Sequence, residues 1–308
     1  MINQIPAISS SPKVATIEKK YSSLIDRGLN TILNKDTGLA RPELDDRYRR
    51  ARDIYNQLTD DGNLTWFGSL HIDEELIKLY DAFETFKSLA ELDYGKAYFP
   101  LSKLYNGDQE IPKNKLLAQR YEQLSFNWCF NNQLLKDPEI WNDLGTLYRL
   151  GEAIEWDYTL ALFWYQQAAN AGDAVGMFNV SCSYDLGIGV EEDYKVALDW
   201  QFSAAKAGHT TAQFGLGCQY EHDGGLLEQD DDLAFYWYLQ AAKKGHRKAK
   251  HCIAKYSMDG FELPEDDELA SNWFAEQAKS GETWAQYFLA EAYMKGLGIA
   301  YDNSQAIY

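Results

Sequence analysis

Five histidines, four cysteines and two dense runs of acid are the residues of this chain whose types could do chemistry. His222 stands four residues after Cys218, a spacing that puts both on one helix face. Two ligands fall short of the three or four that a zinc ion needs. No Cys-x-x-Cys pair occurs among Cys129, Cys182, Cys218 and Cys252. The acid runs Glu228-Gln-Asp-Asp-Asp232 and Pro264-Glu-Asp-Asp-Glu268 lack the ligand spacing and the glycine of a calcium loop. They read as solvated charge at helix starts. A phosphate-binding glycine loop, a nucleophile elbow and a dinucleotide fingerprint are all missing. No catalytic residue, metal ligand or cofactor is therefore assigned, and the chain reads as a non-enzyme.

The elements that carry these residues repeat. Trp164, Trp200, Trp237 and Trp273 recur every 36 or 37 residues, each followed eight positions on by Gly172, Gly208, Gly245 or Gly281. A fixed aromatic–glycine period of this length marks a repeat array. Each unit opens on a small or apolar residue: Ala97, Ile140, Gly176, Ala212, Ala249 and Ala285. Four positions on come Leu101, Leu144, Val180, Leu216, Ile253 and Leu289, and next to them the small Ser102, Gly145, Ser181, Gly217, Ala254 and Ala290. Eight positions past the opener stands Tyr105, Tyr148, Tyr184, Tyr220, Ser257 or Tyr293. These spacings share one helical face. The small residue should admit a neighbouring helix, and this tyrosine should fill the gap beside it.

A glycine-bearing loop follows, then Asn114, Asp157, Asp193, Asp230, Asp266 or Asp302, each four residues before an alanine. These acids and amides suit the N-cap of a second helix. That helix carries the tryptophan, passes Ala168-Ala169, Ala204-Ala205 or Ala241-Ala242, and ends at the glycine. His209 and His246 occupy the same slot just after that glycine and so belong to the turn between units. Cys182 and Cys218 also share a slot, about one helix spacing of 9–10 Å apart, which is too far for a disulfide. The thiols read as reduced.

The 308 residues carry a net charge of -18. Residues 1–65 hold 10 Lys and Arg against 9 Asp and Glu, so the repeat body bears the whole excess. That balance argues against nucleic acid and anionic membranes, and favours a basic protein partner. No apolar run spans a bilayer. Met1–Lys20 lacks the pattern of a signal peptide, so the cytoplasm is the expected location.

The stretches Trp164-Tyr-Gln-Gln-Ala-Ala-Asn-Ala-Gly172, Gly187-Ile-Gly-Val-Glu-Glu-Asp-Tyr-Lys-Val-Ala197 and Tyr236-Trp-Tyr-Leu-Gln-Ala-Ala-Lys-Lys-Gly245 resemble the Sel-one-like repeat (SLR) family, close kin of the tetratricopeptide repeat. The resemblance covers residues 97–308. It implies an all-α, right-handed α/α solenoid of helix-turn-helix repeats, about six units with the last truncated, whose first helices line a concave face. It further implies that positions two and six beyond each opener point into that groove. The candidate protein-binding residues are thus Phe99, Asn142, Phe178, Cys182, Phe214, Cys218, His251, Lys255, Tyr287 and Glu291, with Lys103 and Thr146 at equivalent places. An aromatic row among polar neighbours suits a peptide or helix ligand.

The function so implied is a protein–protein scaffold or adaptor. The alternatives are a bacterial immunity protein covering a basic toxin such as a nuclease and, more remotely, a cell-wall-related or β-lactam-binding hydrolase. Self-assembly through the C-terminal face is a structural alternative, and the oligomeric state is open.

Departures from the pattern carry their own expectations. The first unit is 43 residues long, with its surplus near Phe126–Asn132, which predicts a longer turn there. The fourth has an extra residue near Gly224–Gly225, and the fifth has Ser257 in the tyrosine slot with Tyr256 beside it. The last unit stops at Tyr308 before its tryptophan, so the natural chain is expected to continue. Residues 1–65 are unmatched. Val14–Leu33 and Glu43–Leu58 read as amphipathic helices forming an N-terminal helical cap, and Arg47, Arg49, Arg50 and Arg52 as a solvated basic face. Residues 66–96 read as a linker followed by an orphan helix, with Ala82 and Ala90 in register. Leu64–Ile72 is an extended linker or one short strand.

Overall fold

The computed structural model describes residues 41–59, 72–107, 113–151, 154–222, 225–258, 268–296, 299–302 and 304–305. Val14–Leu33, the segment 60–71, Asp223–Gly224 and the cap position Asp266 lie outside these. Two compact units divide the chain, Met1–Asp45 and Asp46–Tyr308. Of the first, only residues 41–45 are described, the opening turn of a helix. The second holds the repeats.

Among the described residues the regular elements are all helices. They are α1 (Arg41–Thr59), α2 (Ile72–Glu91), α3 (Tyr98–Asn106), α4 (Lys115–Asn132), α5 (Pro138–Leu150), α6 (Tyr158–Asn170), α7 (Ala174–Asp185), α8 (Tyr194–Lys206), α9 (Thr210–Glu221), α10 (Asp231–Lys243), α11 (Arg247–Met258), α12 (Glu268–Lys279) and α13 (Thr283–Lys295). From α3 onward they alternate as first and second helices of successive units. Chain neighbours pack on one another from α2 through α11, α12 packs on α13, and α5 also touches α7 and α11 touches α13. The second unit of the chain is thus an all-α, tetratricopeptide-like repeat array.

The second-helix caps follow the sequence. Asn114 accepts the Leu117 N–H, Asp157 those of Thr159 and Leu160, Asp193 those of Lys195 and Val196, and Asp230 that of Leu233. Each cap residue is itself tied to the preceding first helix. Its N–H donates to the carbonyl of Tyr105, Tyr148, Tyr184 or Tyr220, at 2.9–3.0 Å. The repeated tyrosine therefore marks where the loop closes. Asp302 keeps the same link, donating to the Tyr293 carbonyl, and its carboxylate accepts from the Ser304 N–H and Oγ.

Close approach explains the small residues, but the filler differs from expectation. A Cβ on Gly145 would lie 2.6 Å from the Tyr165 ring, and one on Gly217 would lie 2.5 Å from the Tyr238 ring. Both tyrosines follow the repeat tryptophan on the second helix, so it is that helix, not the first-helix tyrosine, that covers the glycine. The opener Gly176 sits equally tight against the Ala168-Ala169 pair of the preceding unit, where an added Cβ would lie 2.7 Å from the Ala168 Cβ. Trp164, Trp200 and Trp237 are buried between units, as their period implies.

The first unit's surplus residues form helix rather than a longer turn. α4 runs 18 residues to Asn132 and closes through a 3-10 turn at Gln133–Leu135. Lys136 takes the left-handed conformation there, φ 54°, in the absence of a glycine. Trp141 Nε1 donates to the Gln133 carbonyl at 2.9 Å and fixes this end.

Candidate interaction face

Two positions past the opener, the side chain reaches forward to the next unit. Asn142 donates to the Asp173 carboxylate, which also caps α7 by accepting the Gly176 N–H at 2.7 Å. Phe178 stacks on His209 with ring centroids 4.3 Å apart, and Phe214 stacks on His246 at 4.4 Å. Both histidines are N-caps: Nδ1 of His209 accepts the Ala212 N–H at 3.3 Å, and Nδ1 of His246 accepts the Ala249 N–H at 3.1 Å. An acceptor Nδ1 requires the proton on Nε2 and a neutral ring. Burial, with a nearby lysine, pushes each imidazole down to about 4. The sequence places these histidines in the turn; it does not show that they cap and link. Phe99 is buried, with the Lys103 ammonium 5.3 Å from its ring centroid. His251 and Tyr287, at the same position in later units, are exposed.

Six positions past the opener, most side chains bind their own unit. Lys103 pairs with the buried Glu122 at 2.9 Å. Thr146 lies 3.1 Å from the Tyr165 hydroxyl, and Cys218 packs against the core cluster that holds Tyr238. Glu122, Tyr165 and Tyr238 all follow the repeat aromatic, so one second-helix position supports this row. Cys182 is half-buried, its thiol pushed up to about 11 by burial. Glu291 is buried and pairs with Lys295 at 2.8 Å. Lys255 remains exposed while reaching Glu221 at 3.0 Å. The ten residues inferred from the repeat resemblance thus divide: Phe99, Asn142, Phe178, Phe214, Cys218 and Glu291 are engaged in the scaffold, Cys182 is half-buried, and His251, Tyr287 and the Glu221-paired Lys255 are exposed.

The α1 basic face is a correction. Arg47, Arg49 and Arg50 are exposed, as expected, but Arg52 is not solvated. Its guanidinium lies 3.4 Å from Glu139 and 3.5 Å from Asp143. Tyr48, one turn earlier, donates to Glu139, and Lys96 pairs with Glu139 at 3.1 Å and with Asp137 at 2.6 Å. Tyr48 and Arg52 at i, i+4 thus cover Glu139 and Asp143 at i, i+4. This end of the first-helix row is occupied by the chain itself.

His209, His222 and His246 each contact the backbone. His222 Nδ1 lies 3.0 Å from the Cys218 carbonyl oxygen, a backbone contact where the sequence offered a thiol pairing. Cys252, like Cys182, is pushed up to about 11, chiefly by burial, so both are thiols rather than thiolates at neutral pH. All four cysteines are unpaired. Among the described residues no three His, Cys, Asp or Glu side chains converge as a metal site, and no helix is long and apolar enough to cross a membrane.

Tandem helix pairs with this cap, close-approach and tryptophan pattern define a helical-repeat protein. The model of the Sel1 repeat matches residues 142–173, 174–209, 210–246 and 285–308. A Sel1 repeat protein from Oxalobacter formigenes is 31% identical over 62% of this chain and 78% of its own, with a TM-score of 0.44. The chain belongs to the Sel1 repeat family. Two further solved structures are similar at lower identity. A protective antigen of uropathogenic Escherichia coli displaying an SLR fold is 19% identical, over 95% of this chain and 77% of that one, TM-score 0.36. An immunity protein of Pseudomonas aeruginosa is 18% identical, over 70% and 71%, TM-score 0.42. Comparison with curated proteins gives no match.

Proposed function

We propose that the chain is a non-enzymatic scaffold that binds a partner protein through the row of first helices. The observation that carries this is the division of that row. Successive units are locked together by buried links, while Leu186, His251, Lys255 and Tyr287 stay exposed on the same helices or at their ends. Rigid elements that present open aromatic, aliphatic and charged groups are what a binding face requires. The acidic balance of the chain outside α11 favours basic surface on the rest of the partner, and would make encounter sensitive to salt.

Site-directed photo-crosslinking in the native cell tests the reading. A crosslinking amino acid at Tyr287 or His251 should give a discrete adduct with one partner. The same group at Tyr194, exposed at the start of the second helix α8, should not. Equal labelling from both faces, or none from the first helices, would overturn it.

A further inference from the structure

α11 reverses the charge of the molecule. No Asp or Glu lies between Leu233 and Met258, yet six of the chain's 29 Lys and Arg fall between Lys243 and Lys255. Ala249, Ile253 and Tyr256 turn toward the core. Lys248, His251 and Lys255, three and then four residues apart, form the exposed stripe on the opposite side. Lys255 is 60% exposed even while paired with Glu221, and Lys248 and Lys250 make no ion pair among the described residues. Lys244, in the turn before α11, donates to the Gly208 carbonyl at 2.6 Å, which holds more positive charge beside the start of α9.

The core does not ask for this charge. Its contacts with α11 are apolar or aromatic, and like charges along one helix face are destabilising. The unit also departs from its family here, since the repeat model matches segments on either side but not residues 247–284. One carboxylate already lies against the stripe. Glu221 accepts from Lys255 at 3.0 Å and from the Tyr238 hydroxyl at 2.6 Å.

We propose that the stripe Lys248–His251–Lys255 docks an acidic segment of a partner protein. This rests on the reading that the first-helix row binds protein, and it assigns the sign of charge that one stretch of the row accepts. Charge complementarity selects the occupant, and length selects among anions. α11 has 12 residues and is about 18 Å long. A short acidic peptide needs no more than that. A nucleic acid strand or a lipid surface would run on over a body of net charge -18 and be repelled.

Fluorescence anisotropy with the full chain at low salt tests this. The probes are a labelled peptide of about ten residues rich in Asp and Glu, a Lys-rich peptide of equal length and a single-stranded oligonucleotide. The acidic peptide should bind, weaken as salt rises, and lose at least about tenfold in affinity in Lys248→Glu/His251→Glu. The control Glu191→Lys/Glu192→Lys, on exposed residues elsewhere, should not weaken it. Circular dichroism and a melting curve confirm that both variants fold. Absence of acidic-peptide binding, equal binding to the charge-reversed variant, tighter binding of the oligonucleotide, or Lys-rich peptide binding that weakens in the charge-reversed variant would overturn the proposal. Loss of the crosslink at Tyr287 is separate and counts against the broader reading. A crosslink that persists without acidic-peptide binding leaves the row as a binding face and removes only the acidic partner.

Discussion

Phe178 lies face to face on His209, 4.3 Å between centroids and 16° between planes, while the same imidazole caps α9. The pair has a counterpart one unit earlier in Asn142 and Asp173, and one unit later in Phe214 and His246. The residue two past the opener is therefore matched to the cap of the next unit. An amide donates to an aspartate cap, and a phenyl ring stacks on a histidine cap. The repeat resemblance offers the row as a set of free anchors; its first duty is to join repeats.

Such caps make stability depend on pH. The folded state holds His209 and His246 near 4 by burial, against an ordinary value of 6.5, so the unfolded chain binds protons first as the medium is acidified. The stabilisation is complete above about pH 6.5 and is lost progressively as pH falls toward about 4. For His209 the upper limit is about 3 kcal/mol. The buried Asp143 carboxyl is shifted up by desolvation, against the pull of Arg52, and so contributes with the opposite sign. The informative quantity is thus a difference between chains. Replacing Phe178 with Asn and His209 with Asp grafts the earlier pair, and should flatten the fall in melting temperature between pH 6.5 and 4. An unchanged slope would show that these caps are not the titrating groups.

Gly145 and Tyr165 should be energetically coupled. A Cβ at 145 would meet the Tyr165 ring at 2.6 Å, which has no room to yield beneath α6. Gly145→Ser alone should cost about 1–3 kcal/mol by overpacking. In the next unit the equivalent places hold Ser181 and Gln201, and Ser181 donates to the Ala197 carbonyl at 2.8 Å. Tyr165→Gln should therefore relieve Gly145→Ser, with a coupling above about 0.5 kcal/mol in a urea-denaturation cycle. Strict additivity would refute the match.

Two glycines separate strain from contact. Gly172 has φ 91°, and a methyl added there would meet nothing within 4 Å, so Gly172→Ala should cost only the left-handed backbone term, about 1–2 kcal/mol. Gly189 has φ 75°, and its Cβ would stand 2.2 Å from the Tyr158 carbonyl oxygen. That loop must move off α6, and the loss should exceed the Gly172→Ala loss by at least about 1 kcal/mol. Equal melting temperatures for the two variants would contradict the packing of this loop.

The repeat was legible because its constraints are local and periodic. Tryptophan spacing, cap residues and the glycine after the second helix each act within one unit, so they recur in the sequence. Links between units were harder to see. Asn142 to Asp173 and Phe178 to His209 are both 31 residues apart but share no residue type, and the Phe–His types recur only once more, 32 apart at Phe214 and His246, so the signal was faint. The Arg52 contact was hidden for another reason. Arg52 sits among exposed arginines of similar spacing, and nothing local tells which guanidinium meets a carboxylate 87 residues away at Glu139.

That contact yields the sharpest stability test. Asp143 is buried, Arg52 is 18% exposed, and Lys96 reaches Glu139 but is not paired with Asp143. Arg52→Ala would leave a buried carboxylate without its guanidinium, a loss of about 3 kcal/mol, at the low end for a broken buried pair because Lys96 still serves Glu139. The charge, rather than the lost packing, should dominate. Adding Asp143→Asn to Arg52→Ala should then recover part of the loss at neutral pH. Urea unfolding of the parent chain, the single variant and the double variant at pH 7 measures it. A double variant no more stable than Arg52→Ala would mean that Arg52 acts by packing alone.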